Sequence, residues 1–215
     1  MQVGVDEAGK GPVLGSMFAA GVRAPAEAIP DGVRDSKELA AQRREELAEA
    51  LRADDRVSVG LAEITVERID DPGTDMNTLT VAAQAGALAA VATGGDAVYL
   101  DAGDVDAARF GRRVDDRLDA GVDVRAEHGA DAARPVVAAA SVIAKVERDA
   151  HVADLAAEYG AVGSGYPGDP ATRSFLASYV EEHGRLPDCA RTSWKTSGDA
   201  LAAHAETGQS TLEEF

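Results

Sequence analysis

Apolar residues recur along this chain first with the period of a strand and then with the period of a helix. The run Met1 to Val5, the alternating stretch Val13 to Val22 and the stretch Val57 to Ile64 predict three strands. Gly9, Gly11 and Pro12 predict a turn that hairpins the first two. Leu39 to Leu51 carries helix formers such as Arg43, Glu45, Leu47 and Ala50, and the alanine-rich stretch Asn77 to Ala92, with Leu79, Val81, Leu88 and Val91, predicts a buried helix. A short strand from Ala97 to Leu100 ends at Asp101. An amphipathic helix at Ala107 to Leu118, a strand at Val122 to Ala126 and a long helix from Val136 to Tyr159 follow, the last entered through Pro135. Three strands followed by alternating helices and strands define an α/β chain: a mixed sheet of about five strands with helices on its faces.

The pattern changes at Gly163 to Pro170, a loop dense in glycine and proline. Beyond it, Thr172 to Glu182 and Trp194 to Ala205 are helical and predict a small C-terminal helical unit. The expected organisation is a main domain over 1–160, that unit over 161–205 and a polar, flexible tail over 206–215. The chain has 215 residues, enough for one sizeable core. No apolar run nears the roughly 20 residues of a membrane helix, and the N-terminus lacks the basic and apolar segments of a signal peptide. A cytoplasmic monomer without membrane contact is expected.

Charge narrows the chemistry. Cys189 is the one cysteine and the four histidines are scattered, so no zinc motif is present and any metal must be hard and oxygen-bound. Net charge is −17, from 38 acidic and 21 basic residues, with lysine confined to Lys10, Lys37, Lys145 and Lys195. Acids are spread over the whole chain, as Glu45, Glu46, Asp54, Asp55, Asp70, Asp71, Asp115 and Asp116 illustrate. This is the composition of a surface adapted to molar salt, where a Debye length of about 3 Å screens self-repulsion. An ordinary acidic protein that avoids nucleic acid has the same charge. Thermal melts decide: a halophilic fold gains several degrees in melting temperature between dilute buffer and molar KCl, whereas a flat or falling curve removes the halophilic reading.

Asp6 and Glu7 stand side by side in Gly-Val-Asp-Glu-Ala-Gly-Lys-Gly-Pro, residues 4 to 12. Adjacent carboxylates at a strand end repel unless a cation lies between them or one stays protonated. A divalent metal site and a solvated turn both account for the segment. The spacing of Gly4, Gly9 and Lys10 is that of a phosphate-binding loop, but Gly11 replaces the required hydroxyl and the two acids would oppose phosphate. Asp101 at a strand end and Asp131 before the long helix add two carboxylates that a mixed sheet can bring to the same edge. Four such groups can hold two divalent cations about 4 Å apart, the arrangement used for phosphodiester hydrolysis. A strand-end aspartate taken alone is more often a cap or turn residue.

Several motifs in one order carry a resemblance. They are the 4–12 segment continued by Val13-Leu14-Gly15, then Arg34-Asp35-Ser36-Lys37, Met76-Asn77, Tyr99-Leu100-Asp101-Ala102 with Asp104-Val105-Asp106, Pro135 to Val146, Gly163 to Pro167, and Trp194-Lys195-Thr196. Over about residues 1 to 197 the chain resembles the type 2 ribonucleases H, the archaeal ribonuclease HII group in particular. The resemblance implies an RNase H-like fold and an Mg²⁺- or Mn²⁺-dependent endonuclease. Its substrates would be RNA/DNA hybrids and duplex DNA with embedded ribonucleotides, and its products 5′-phosphate and 3′-hydroxyl ends. It further implies that Asp6, Glu7, Asp101 and Asp131 are the catalytic metal ligands.

Backbone groups of Gly9, Lys10 and Gly11 would read the ribose 2′-OH, the feature that separates RNA from DNA. Tyr166 resembles the family tyrosine that packs against the deoxyribose, although a loop aromatic capping the core is the commoner role. Ser141 and Lys145, four apart on a helix, are candidates for phosphate contacts, and Lys37 and Asn77 belong to the candidate substrate surface. Arg34, Lys37, Arg43 and Arg44 form a local basic cluster that can track a backbone or simply be solvated. Two departures stand out: Lys10 replaces the more usual arginine, and Gly129 stands where a lysine is frequent.

The tail Gln209-Ser210-Thr211-Leu212-Glu213-Glu214-Phe215 resembles a sliding-clamp peptide, with Gln209, Leu212 and Phe215 as contacts and its second aromatic missing. An unstructured acidic tail is the plain alternative. A non-catalytic nucleic-acid or clamp-binding module of the same fold is the competing function, and the presence of all four acids speaks against it.

Overall fold

The computed structural model describes residues 1–33, 39–119 and 121–212, the last six as backbone only. Among the described residues, five strands form one mixed sheet in the order β3-β2-β1-β4-β5. They are β1 (Gln2–Ala8), β2 (Met17–Ala24), β3 (Ser58–Ile64), β4 (Ala97–Asp101) and β5 (Asp123–Glu127). β1, β2 and β3 pair antiparallel, whereas β4 runs parallel to both β1 and β5. The helices are α1 (Ala41–Ala53), α2 (Val66–Ile69), α3 (Met76–Ala89), α4 (Ala107–Asp115), α5 (Ala130–Ala133), α6 (Pro135–Tyr159), α7 (Pro170–His183) and α8 (Lys195–Leu212). None is long and apolar enough to cross a membrane among the described residues.

Each predicted element is present, with two instructive shifts. β1 does not stop at Val5. It stays paired through Asp6↔Ala20, Glu7↔Ala19 and Ala8↔Phe18, so the two acids lie in the strand and the turn begins only at Gly9, with φ 90°. β2 in turn starts at Met17 and not at Val13, because Gly15 takes φ 75° and Leu14 bridges to Ala190. A third difference is that α8 runs on to Leu212, past the Ala205 that the pattern suggests.

The chain forms two compact units. The first contains Met1–Lys10, Met17–Ile64 and Thr74–Asp149, and holds the whole sheet. Its two sheet faces are set by glycines at which helix backbones come close. At Gly4 a Cβ would lie 2.3 Å from the carbonyl carbon of Val136 in α6. On the opposite face, Cβ atoms at Gly21 and Gly60 would stand 2.8 and 2.4 Å from the Ala87 carbonyl oxygen in α3. Ala20, Val22 and Ala24 of β2 pack with Val137 to Ala140 of α6 in one apolar layer. At the far end of the sheet, Asp96 is buried; its carboxylate accepts from Arg23 Nε at 2.6 Å and from the Thr93 N–H at 3.0 Å, tying β2 to the turn before β4.

The second unit contains Gly11–Ser16, Thr65–Gly73 and the residues from Ala150 on. Its core gathers Val13, Leu14, Leu155, Val162, Leu176, Cys189 and Ala190. Asp169 caps α7 by accepting from the Ala171 N–H at 2.9 Å, with Pro170 at the first helical position.

Candidate active site

Strand alternation sends consecutive side chains to opposite faces, so Asp6 shares the α6 face with Gly4 while Glu7 faces α3. Neighbours in sequence therefore have separate surroundings. Asp6 is buried, and burial together with the charge of Glu7 pushes its carboxyl well above the usual carboxylate range, with Asp101 adding to the shift. Ser141 acts the other way, favouring the carboxylate. Glu7 is pushed up to about 6, mainly by burial; Gln84 and the Lys10 charge oppose that rise and Asp101 reinforces it.

Gln84 joins two of the acids. Its Nε2 donates to Glu7 Oε2 at 2.5 Å and to the backbone carbonyl of Asp101 at 2.8 Å. This glutamine is fully buried in the alanine-rich face of α3, and sequence reasoning missed it. The available signal was a long amide in the middle of an apolar helix, a position that a buried polar group occupies only when it has partners.

Asp101 ends β4, one step beyond the Val5↔Leu100 pair, and so lies beside Asp6 across the parallel ladder. Its Oδ1 accepts from the Ala130 N–H at 2.8 Å. Gly129 makes that bond possible: it takes φ 67°, which glycine adopts freely, and starts α5 with the Ala130 N–H aimed at the carboxylate. Asp131 follows in the first turn of α5, is buried, and its Oδ1 accepts from the Ala132 N–H at 3.0 Å.

Lys10 Nζ donates to the Gly103 carbonyl and to Asn77 Oδ1, the latter at 3.4 Å. Lys10, Asn77 and the loop after β4 are thereby joined next to Glu7. Gly103 leaves that corner open, since a Cβ there would lie 3.1 Å from Glu7 Oε1 and 2.6 Å from the Thr80 methyl. Ser141 is buried in α6 with half-buried Lys145 one turn further on. Gly11 and Tyr166 belong to the second unit, where a Cβ on Gly11 would stand 3.7 Å from the half-exposed Tyr166 ring. Lys37 and Phe215 lie outside the described residues, as does Arg34; Gln209 and Leu212 are on the backbone of α8.

As placed, the acids do not close into a cage: among the described residues no three His, Cys, Asp or Glu side chains stand together as ligands of one ion. Each carboxylate is turned to a donor of its own, Glu7 to Gln84 and Asp101 to Ala130, which is the arrangement that repelling anions adopt. The donor set nonetheless fits a hard divalent cation. It includes the carboxylate oxygens of Asp6 and Glu7, whose charge is disfavoured by burial and by neighbouring acids, and among the described residues the buried Gln84 Oε1 beside them has no hydrogen-bond partner.

A mixed sheet with three antiparallel strands, two parallel ones and acids at the ends of β1 and β4 defines a nuclease of the RNase H-like class. The ribonuclease H2 of Pyrococcus horikoshii superposes with a TM-score of 0.87 at 35% identity, over 95% of this chain and 98% of that one. The RNase HII of Archaeoglobus fulgidus, solved as a complex with PCNA, gives 0.83 at 36% identity over 93% and 96%. The ribonuclease HII of Haloarcula marismortui, a halophilic archaeon, is 63% identical over the full length of both chains. The family model for ribonuclease HII matches residues 3–197, and the chain belongs to that family of metal-dependent type 2 endoribonucleases.

Proposed function

We propose that this protein hydrolyses the RNA strand of RNA/DNA hybrids and cuts on the 5′ side of ribonucleotides embedded in duplex DNA, leaving 5′-phosphate and 3′-hydroxyl ends. The observation that carries the reading is the meeting of Asp6, Glu7 and Asp101 at two adjacent strand ends, where the charges of Glu7 and Asp101 raise the proton affinity of buried Asp6 and that of Asp101 raises the proton affinity of half-buried Glu7. Such a site is built to be neutralised by cations. Asp6, Glu7, Asp101 and Asp131 would hold two ions, Mg²⁺ or Mn²⁺, which when bound supply Lewis acidity and counter-charge at the scissile phosphate.

The chain's own groups do the positioning. Gln84 fixes Glu7 relative to the β4 end through its shared amide, and the Ala130 N–H holds the Asp101 carboxylate from the other side. Lys10, tied to Gly103 and Asn77, adds positive charge beside Glu7 and keeps that carboxylate easier to ionise. The turn Gly9 to Gly11 offers backbone groups that approach a ribose closely, with Gly9 in a left-handed conformation. Tyr166, at 48% exposure, presents a ring for the sugar on the DNA side, and Lys145, Lys37 and Asn77 complete the substrate contacts, while Ser141, buried beside Asp6, serves that carboxylate instead of a phosphate.

The decisive assay uses a duplex with one ribonucleotide, in Mg²⁺ or Mn²⁺, with product ends mapped. Cleavage 5′ of the ribonucleotide and an intact all-DNA duplex are expected. Full activity in chelator overturns the metal assignment, and no cleavage at all favours the non-catalytic binding module.

A sliding clamp is the proposed protein partner, through Gln209, Leu212 and Phe215. The Archaeoglobus relative solved with PCNA supports it. Leu212 and Phe215 are three apart in the sequence, a spacing that a single helical turn would bring to one side as paired apolar anchors. Tethering would raise the local substrate concentration for an enzyme whose net charge of −17 opposes DNA binding. Titration of the clamp with wild type and with Leu212→Ala/Phe215→Ala should show weakened binding by the double variant; equal binding excludes the tail.

A further inference from the structure

Gly11 ends the turn proposed to read the ribose and opens the Gly11–Ser16 loop of the second unit. A glycine backbone can approach a sugar closely, but the same lack of a Cβ leaves its peptide free to rotate. Something must hold it. Pro12, the next residue, has no N–H to offer. The Gly11 carbonyl oxygen instead accepts from Trp194 Nε1 at 3.2 Å.

Trp194 is itself set by a costly device. Arg191 is fully buried, its Nε donates to the Gly15 carbonyl at 2.8 Å, and its guanidinium lies 4.9 Å from the centre of the Trp194 ring. Buried Ser197 donates to the Arg191 carbonyl at 2.8 Å, and the Arg191 N–H donates to the Val13 carbonyl at 2.8 Å. One arginine thus grips the far end of the loop through Gly15 and orients the indole that grips its near end through Gly11. The loop is clamped at both ends by residues about 180 positions away in sequence, near Trp194.

We propose that Trp194, oriented by Arg191, is a positioning residue for ribose recognition: its indole N–H fixes the Gly11 peptide in the orientation that meets the sugar. The inference rests on the Gly9 to Gly11 turn reading the ribose. Trp194 touches no reacting atom in this role. Its loss weakens recognition and leaves the carboxylate site of the first unit intact.

Trp194→Phe is the informative change, because it keeps an aromatic ring over Arg191 while removing the N–H together with the rest of the pyrrole ring. One lost hydrogen bond should raise KM for the single-ribonucleotide duplex about fivefold with kcat unchanged. The preference for that duplex over all-DNA duplex in binding should narrow by the same factor. A second measurement uses the wild type: Trp194 is the chain's one tryptophan, so the indole N–H signal in NMR should shift with the ribonucleotide duplex and not with all-DNA duplex. A folded Trp194→Phe with unchanged KM and preference overturns the proposal. So does, should the variant fail to fold, an indole signal that responds equally to both duplexes. Absence of any preference in the wild type defeats the ribose-reading assignment first, before a variant is made.

Discussion

Asp6→Asn and Asp101→Asn are each expected to lower kcat at least about a thousandfold, a barrier increase of roughly 4 kcal/mol. The amide keeps the volume and removes the negative oxygen that a divalent ion requires. Stability should move the other way at position 6. The Asp6 carboxyl is buried and its proton affinity is raised, so the folded state disfavours its ionised form. A raised folded pKa in an acid means that the charged form costs stability above that pKa, and the neutral amide relieves the cost. Asp6→Asn should therefore melt at or above the wild-type temperature while its turnover collapses. Single-turnover cleavage of a ribonucleotide-containing duplex, paired with thermal melts in molar KCl, checks both halves. Near-normal turnover by either variant would remove these carboxylates from the chemistry.

Gly4→Ala is expected to be the most damaging small substitution in the sheet, at more than about 4 kcal/mol. An added methyl would sit 2.3 Å from both the carbon and the oxygen of the Val136 carbonyl and 2.4 Å from the Val137 nitrogen. Those are backbone atoms at the start of α6 and cannot swing aside as a side-chain tip can. The helix would have to lift from β1, taking Ser141 away from Asp6 and opening the layer that Val137 to Ala140 form with β2. Gly129→Ala provides the contrast, since nothing lies within 4 Å of its Cβ and only the left-handed backbone is strained, at about 1–2 kcal/mol. Melting temperatures of the two variants should differ by at least roughly 4–12 °C on the usual scale for a chain of this size. Equal stability of the two would show that α6 adjusts to the added carbon.

Much of this architecture was legible in the chain. The period-two stretches and the alanine-rich and amphipathic stretches placed the five strands and the main helices, because local burial leaves its period in the sequence. Asp6, Glu7, Asp101 and Asp131 could be singled out because acids at strand ends and beside glycine are chemically conspicuous, and the ordered motifs around them pointed to the family that the comparisons then established. What the sequence left open depends on contacts between distant segments. Whether β1 ends at Val5 or runs through Glu7 is decided by Ala19 and Ala20 across the ladder, and with it whether the acid pair shares one side or divides between two faces. Gln84 becomes a site residue only because α3 crosses above both Glu7 and the end of β4. Gly4 is an ordinary strand glycine until Val136 arrives against it. Arg191, charged and distant in sequence from the glycine turn, looks like a surface residue, yet the tertiary structure buries it completely because Gly15 and Trp194 are there to receive it. Periodicity and chemical type are properties of one segment, but the burial of a polar group is set by the partners that satisfy it, and those come from elsewhere in the chain.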